Sequence, residues 1–348
     1  MTLPPQLASV RSSLVLVPAA LAFLLLASWS RANIESELAP WRVHSATATA
    51  KRSTSDAAIT FPYQRRARSA VLVIPTGLVP PSGWPIVLLL HGAGGSAAQI
   101  LDNDGWRTVA MRERFAVIAA DGTPKNESLR ARFVGNPRTW NSGAGSGLST
   151  ADGSAAVKDV DDVGYLTALL DSVARRVPID PRRVFIAGHS NGAGMSYRFA
   201  AAHPERVAAV GVMAGHLLAD APRTLSSPVP LVQIVGDHDP LVPMHGGRVR
   251  LGFVTRTVQP ALESPKRWAA MIGISSDARV IRDDSVTVWE WGPAPSGGVV
   301  LSYVVKGHGH GWLWPGADRL PESVIGPRRE SLNATETIWA FFAAHARN

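Results

Sequence analysis

The chain contains no cysteine among its 348 residues. Disulfide bonds, thiolate metal sites and cysteine nucleophiles are therefore excluded, as is a lipid anchor on an N-terminal cysteine. Charged residues are also scarce, at 18% of the chain, whereas hydrophobic residues make up 46%. This balance predicts a well-buried globular core and is unlike that of a disordered chain.

The chain also lacks a concentrated basic tract, although its formal net charge is +8. Basic residues are scattered, for example as the arginine pairs at residues 65–66, 182–183 and 328–329, and no nucleic-acid motif accompanies them. We therefore expect no nucleic-acid partner. The excess charge is interpreted as a solubility feature, with attraction to anionic polymers or envelopes as the alternative.

No apolar run is long enough for a comfortable membrane span, which needs about 20 residues. The longest run near the N-terminus extends from Leu14 to Ala27, after Arg11. A short apolar core behind a basic residue is typical of a secretory signal, so we predict a signal peptide over residues 1–32. The expected location is extracellular or periplasmic, with no stable membrane span after cleavage. An uncleaved anchor is the alternative.

Alternating strand and helix patterns begin after a weakly patterned segment over residues 33–64, which we expect to be a linker or a peripheral first strand, of low order. Continuous apolar runs at residues 70–74, 85–90 and 115–120 are typical of strands buried on both faces. Helical patterns separate such runs, at residues 106–114 and 161–176. The alternation predicts a single α/β domain over residues 65–348, with a mostly parallel central sheet flanked by helices.

The sequence G-H-S-N-G at residues 188–192 lies between a strand-like run and a helix-forming run. A G-x-S-x-G motif between a strand and a helix is typical of a nucleophile elbow. Ser190 is thus the candidate catalytic nucleophile. The alternative is a glycine-rich turn whose serine only caps the helix.

A serine hydroxyl needs a base, an acid that orients the base and donors for an oxyanion. In this architecture the acid and then the histidine follow the serine in the chain. The turn at 236–243 offers Asp237 and Asp239, and we favour Asp239, with turn capping as the alternative. The loop at 307–312 offers His308 and His310, and we favour His310. A small metal site on these histidines is the alternative, but no metal is expected.

The expected oxyanion donors are two backbone amides. The first belongs to Asn191, which follows the nucleophile, and the second to Ala93, in the glycine-rich sequence at residues 91–96. A merely flexible glycine loop is the alternative for the second segment.

Five segments in this order resemble the secreted polyhydroxybutyrate depolymerase-like and feruloyl esterases. They are L-H-G-A-G-G at 90–95, V-D-D-V-G at 160–164, G-H-S-N-G-A at 188–193, G-D-H-D-P-L-V-P at 236–243, and G-H at 309–310 before W-P-G at 314–316. The resemblance implies an α/β-hydrolase fold over about residues 65–345. It also places the acid in Asp-x-x-Val-Pro and the base in Gly-x-Gly-His, which supports Asp239 and His310.

The chain departs from the resembled family in two loops. Members often carry a cysteine pair near the segment that reads W-N-S-G-A-G here, at residues 140–145, so this loop must be held otherwise. The loop after His310 is slightly longer than in the family. Trp140 and Trp314, with Trp312, are candidates for an aromatic wall at the substrate, and packing anchors are the alternative.

The resemblance implies a secreted serine esterase that needs no cofactor. Expected substrates are small-molecule or polysaccharide-linked esters, namely feruloyl or acetyl esters, or short hydroxyalkanoate oligomers. Two alternatives are an envelope acyltransferase with the same triad and a non-catalytic secreted binding protein on a hydrolase scaffold. The sequence predicts no oligomeric state.

Overall fold

A computed structural model describes residues 56–143, 154–217, 220–251, 254–294, 297–317 and 320–347. The predicted signal peptide over residues 1–32 lies outside the described residues. So do residues 33–55 of the predicted linker and part of the loop that follows Trp140.

A ten-stranded sheet forms the centre of the described part of the chain, with spatial order β1-β2-β4-β3-β7-β8-β9-β14-β13-β12. Two short two-stranded sheets, β5-β6 and β10-β11, accompany it. The strands are β1 (Asp56–Tyr63), β2 (Arg66–Val73), β3 (Trp84–Leu90), β4 (Ala116–Ala120), β5 (Thr123–Pro124), β6 (Arg138–Thr139), β7 (Ile179–His189), β8 (Ala209–Met213), β9 (Leu231–Gly236), β10 (Gly247–Leu251), β11 (Val254–Val258), β12 (Arg279–Arg282), β13 (Val286–Trp291) and β14 (Val300–Val305).

In the described residues, helices lie between the strands and after the last of them. They are α1 (Ala97–Asn103), α2 (Trp106–Glu113), α3 (Asp162–Ala174), α4 (Asn191–Ala202), α5 (Glu263–Met271), α6 (Glu322–Ile325) and α7 (Ala334–Ala343). Over the residues that the structure describes, none of these helices combines the length and apolar character that a membrane crossing requires.

The middle of the sheet is parallel, as the continuous apolar runs predict. Strands β4, β3, β7, β8, β9 and β14 are parallel neighbours, and antiparallel strands close the sheet at both edges. Every residue of β3, β4, β8 and β9 is buried. Strands covered on both faces have no polar side, which is why their sequences show no alternation. The α/β class is confirmed.

Helices cover both faces of the central strands. On β7, Phe185 stacks on Phe342 of α7, with ring centroids 4.7 Å apart. The next residue, Ile186, points to the opposite face and joins the core cluster that contains Met195 of α4. The sheet is thereby fixed between α4 and α7, and the ends of its parallel strands are held in place.

The segment that the sequence predicts to be a linker or a peripheral first strand ends in a strand. Residues 56–63, the end of the expected low-order segment, form the edge strand β1, which pairs antiparallel with β2 along its whole length. Tyr63, at the end of β1, packs against Tyr165 and donates a hydrogen bond to Asp161 (2.7 Å). The strand is stabilised by these distant partners, which its own weak pattern does not reveal.

Candidate active site

The turn between β7 and α4 holds Ser190 in a strained conformation, with φ 52° and ψ −114°. Positive φ is unusual for a residue other than glycine and costs about 1–3 kcal/mol. Glycine is needed on either side because the backbone is close-packed. A Cβ on Gly188 would lie 2.4 Å from the Gly192 carbonyl oxygen, and one on Gly192 would lie 2.3 Å from that of Leu90. The strand, tight turn and helix predicted around this motif are all present.

The Ser190 hydroxyl does not cap helix α4, since its side chain makes no capping hydrogen bond. Instead, its Oγ lies 2.8 Å from His310 Nε2, and His310 Nδ1 lies 2.8 Å from Asp239 Oδ2. With Nδ1–H donating to the carboxylate, the Nε2 lone pair accepts the hydroxyl proton of Ser190. The three residues form one hydrogen-bonded chain, although up to 120 positions separate them in sequence.

Asp239 is buried and held as an anion. Its Oδ1 accepts hydrogen bonds from the backbone amides of Leu241 (2.7 Å) and Val242 (2.9 Å). Burial acts to raise the pKa of Asp239, but His310 and these amides outweigh burial and lower the pKa below its ordinary value. The carboxylate is therefore charged at neutral pH and available to orient the imidazole of His310.

The competing acid and histidine lie elsewhere in their loops. Asp237 is half-buried, and its Oδ1 accepts a hydrogen bond from the Gly307 amide (2.6 Å). His308 Nε2 donates to the Gly311 carbonyl (2.8 Å), and its Nδ1 accepts from the Arg329 amide (3.1 Å). These side chains connect loops and do not reach Ser190. The described residues contain no cluster of three or more groups able to hold a metal ion.

The segments that carry the two predicted oxyanion donors lie beside Ser190. A Cβ on Gly92 would be 3.4 Å from the Cβ of Ser190, so the loop that carries Ala93 adjoins the elbow. The amides of Gly94 and Gly95 donate to backbone carbonyls, whereas the Ala93 amide donates to no group among the described residues. The Asn191 amide begins helix α4, where first-turn amides have no intrahelical acceptor.

The Asn191 side chain fastens the loop that carries Trp140. Its Oδ1 accepts from the Trp140 amide (2.7 Å), and its Nδ2 donates to the Trp140 carbonyl (3.1 Å) and Ser142 Oγ (3.0 Å). Buried polar contacts thus hold the segment where family members often have a cysteine pair. The sequence does not reveal this role of Asn191, because its partners come from a distant loop.

The prediction that Trp140 forms part of an aromatic wall at the substrate is wrong. Its ring is fully buried, contacts the ring of His91, and donates from Nε1 to the His91 carbonyl (3.0 Å). Trp312 is also buried and donates to Thr335 (2.9 Å). These indoles are packing anchors because their N–H groups find acceptors inside the fold.

Trp314 is half-buried and covers the start of helix α2. A Cβ on Gly105 would lie 2.1 Å from its ring, so the indole packs directly on the glycine backbone. Its contact with substrate stays a prediction.

A buried ion pair, missed from sequence, supports the same loop. Arg68 NH2 lies 2.7 Å from Asp162 Oδ1, and the other carboxylate oxygen of Asp162 accepts from the Asn141 amide (2.7 Å). Asp162 belongs to the V-D-D-V-G segment identified in the sequence, but nothing in the sequence indicates that Arg68 is its partner. Removing one member of such a pair leaves a buried charge without compensation.

His91 holds the loop that carries Ala93 as a neutral imidazole. Its Nδ1 donates to the Gly92 carbonyl (2.6 Å), and its Nε2 accepts from the Gly122 amide (3.0 Å). Burial lowers the pKa of His91 to about 4. Protonation would remove the acceptor that the Gly122 amide requires.

We expect acid to destabilise the protein through His91. An unfolded histidine has a pKa of about 6.5, so the unfolded state binds more protons between about pH 6.5 and pH 4, and stability falls as pH falls through this window. One such group contributes about 2 kcal/mol of lost unfolding free energy between pH 7 and pH 5. Urea unfolding at the two pH values measures this. His91→Gln should reduce the loss of unfolding free energy between the two pH values, and the exposed-site control His245→Gln should not. An equal loss in the wild type and both variants would show that His91 is not the group responsible.

The central parallel sheet, the helices on its faces and the serine turn at the end of β7 define the α/β-hydrolase class of fold. A family model described as esterase PHB depolymerase matches residues 69–243, and the chain belongs to this family. The matched region contains Ser190 and Asp239 and ends before His310.

Several known proteins are similar to parts of this chain. The putative esterase NocK of Nocardia uniformis subsp. tsuyamanensis is 29% identical over 167 residues, 48% of this chain and 43% of that protein. Feruloyl esterase C of Emericella nidulans is 26% identical over 187 residues, 53% of this chain and 59% of that protein. The chain thus spans about half the length of these curated relatives. An acetyl xylan esterase from Aspergillus awamori aligns with a TM-score of 0.53 at 16% identity, over 83% of this chain and 99% of that one.

Proposed function

We propose that this protein is a serine esterase that hydrolyses carboxylic esters through an acyl-enzyme on Ser190. The observation that carries the proposal is the hydrogen-bonded chain from Ser190 through His310 to Asp239. His310 takes the hydroxyl proton as Ser190 attacks the ester carbonyl, and Asp239 stabilises the resulting imidazolium. Membership of the esterase family supports the same reaction class.

The second half of the reaction uses the same groups. His310 returns its proton to the leaving alcohol and then activates a water molecule, which releases the acid from Ser190. The amides of Asn191 and Ala93 hold the oxyanion in both halves. A donor of this kind typically stabilises the transition state by about 3 kcal/mol. In this mechanism the reaction needs no cofactor.

The proposed substrates are feruloyl or acetyl esters linked to polysaccharides, or short hydroxyalkanoate oligomers. The name of the relative feruloyl esterase C supports the first class, and the family description supports the last. We also propose that residues 1–32 are a signal peptide and that the mature protein acts outside the cytoplasm, on the evidence of the apolar run from Leu14 to Ala27.

Hydrolysis of matched hydroxycinnamoyl, acetyl and hydroxyalkanoate esters by the mature protein tests the proposal. We expect free acid from at least one class, and the preferred class identifies the acyl pocket. The reactions are repeated with added sugar or glycerol as an acceptor. A new ester as the main product would indicate an acyltransferase instead, and no turnover of any ester would indicate a binding protein on a hydrolase scaffold.

A further inference from the structure

The hairpin β10-β11 follows the Asp239 segment and carries an inward-facing arginine. Arg256 is directly opposite Val249 in the hairpin register, and residues opposite each other share one face of the pair. Val249 is buried, whereas Arg248 and Thr257, the neighbouring opposed pair, are exposed. The inner face of the hairpin therefore presents Arg256 to the body of the protein.

Arg256 is half-buried, yet its guanidinium makes no ion pair or hydrogen bond with any residue that the structure describes. Burial lowers the pKa of Arg256, but an arginine stays charged in proteins. A partly desolvated cation without an anion is unfavourable unless a ligand supplies one. The planar guanidinium is also the side chain best suited to bind a carboxylate through two parallel hydrogen bonds.

His216 connects this arginine to the candidate active site. A Cβ on the preceding residue, Gly215, would lie 2.8 Å from the Ser190 carbonyl oxygen, so the backbone before His216 touches the elbow. The following residue, Leu217, accepts a hydrogen bond from Gln259 Nε2 (2.9 Å), three positions after Arg256. His216 is thereby placed between two segments, one at the nucleophile and one at the hairpin.

The imidazole of His216 also lacks partners. Both ring nitrogens are buried and neither is hydrogen-bonded in the described part of the chain. Burial, followed by the charge of Arg256, lowers the pKa of His216 to about 4, and the charges of Asp239 and His310 also act on it. The ring is therefore neutral at neutral pH, close to both Arg256 and the acid–base pair, with one N–H to donate. Unsatisfied buried polar groups are rare in native proteins and need an explanation.

We propose that Arg256 and His216 form a carboxylate-binding subsite beside Ser190, so that the preferred substrates are esters that carry a second, ionised carboxyl group. This inference rests on the proposed esterase activity and specifies its substrate class. Among the ester classes considered, short hydroxyalkanoate oligomers end in such a carboxylate, whereas acetyl esters of neutral sugars do not. The carboxylate can belong to the acyl or the alcohol side of the ester.

Two matched pairs of esters separate these cases. For the acyl side, para-nitrophenyl hydrogen adipate is compared with para-nitrophenyl hexanoate. For the alcohol side, para-acetoxybenzoate is compared with para-methylphenyl acetate. The measured quantity is the ratio of kcat/KM for the charged ester to that for the neutral ester, in wild type, Arg256→Gln, Arg256→Lys and the outer-face control Arg248→Gln.

We expect Arg256→Gln to lower this ratio by roughly 10- to 100-fold for at least one pair, the range typical of a lost charge-assisted hydrogen bond. Arg256→Lys should keep part of the preference, Arg248→Gln all of it, and added salt should weaken it. His216→Ala should lower the ratio in the same direction. Because each ratio includes a neutral ester, a general loss of folding cancels.

The outcomes distinguish the inference from the function on which it rests. A ratio that is unchanged in Arg256→Gln, with both esters still hydrolysed, would overturn the subsite and leave the esterase intact. If the wild-type protein hydrolyses none of the four esters, the proposed esterase activity and the subsite are overturned together.

Discussion

Replacing Ser190 with alanine is expected to lower kcat for ester hydrolysis by about four to six orders of magnitude. In the proposed mechanism the Oγ of Ser190 receives the acyl group, and it lies 2.8 Å from Nε2 of His310, the proposed base. The variant keeps the backbone amides of Asn191 and Ala93, so in the proposed mechanism the remaining rate reflects oxyanion stabilisation and binding alone. Steady-state kinetics on the preferred ester measures the change.

The matched control is Ser128→Ala, at an exposed serine whose backbone amide donates to Asn126. This variant should keep wild-type kcat and KM. Because alanine at a positive φ is also strained, the two variants should be compared by unfolding as well. A folded Ser190→Ala protein with wild-type turnover would show that another group is the nucleophile.

Asp239→Asn is expected to lower kcat by about three to four orders of magnitude. An asparagine amide is neutral, so it does not stabilise the imidazolium that forms on His310, and it favours the wrong tautomer of the ring. The backbone amides of Leu241 and Val242 still find an acceptor in the asparagine oxygen, so the turn should fold. KM should change far less than kcat.

Asp237→Asn is the matched control, two residues away in the same turn. Its carboxylate accepts from the Gly307 amide and makes no contact with His310, so kcat should stay within about tenfold of wild type. Equal losses in the two variants would mean that the turn as a whole, and not the carboxylate at Asp239, supports activity.

The sequence predicts the parts of the fold that are set by local pattern. The apolar runs that form β3 and β4 are buried along their whole length. A strand without a polar face is stable only where both of its faces are covered, which is the middle of such a sheet. The G-x-S-x-G turn is equally local, because close backbone packing at Gly188 and Gly192 demands glycine. The order of the candidate residues then follows from the order of the strands.

Features that depend on distant partners are not visible in the sequence. The eight residues of β1 are ordered by pairing with β2, and Trp140 is buried because the carbonyl of His91 accepts its N–H. The hairpin strands read G-R-V-R-L and V-T-R-T-V, so apolar and polar residues alternate, and Arg256 is the polar residue that falls on the apolar face. The pairing of the two strands, with Arg256 opposite Val249, is what the sequence alone does not give.

The most direct test of the account is to trap the acyl group. The protein is mixed with an activated ester of the preferred acid, quenched with acid during the first turnover, digested and analysed by mass spectrometry. We expect one added acyl mass on the peptide that contains Ser190, and none in Ser190→Ala. An acyl group on any other residue, or wild-type turnover without a covalent adduct, would contradict the proposed mechanism.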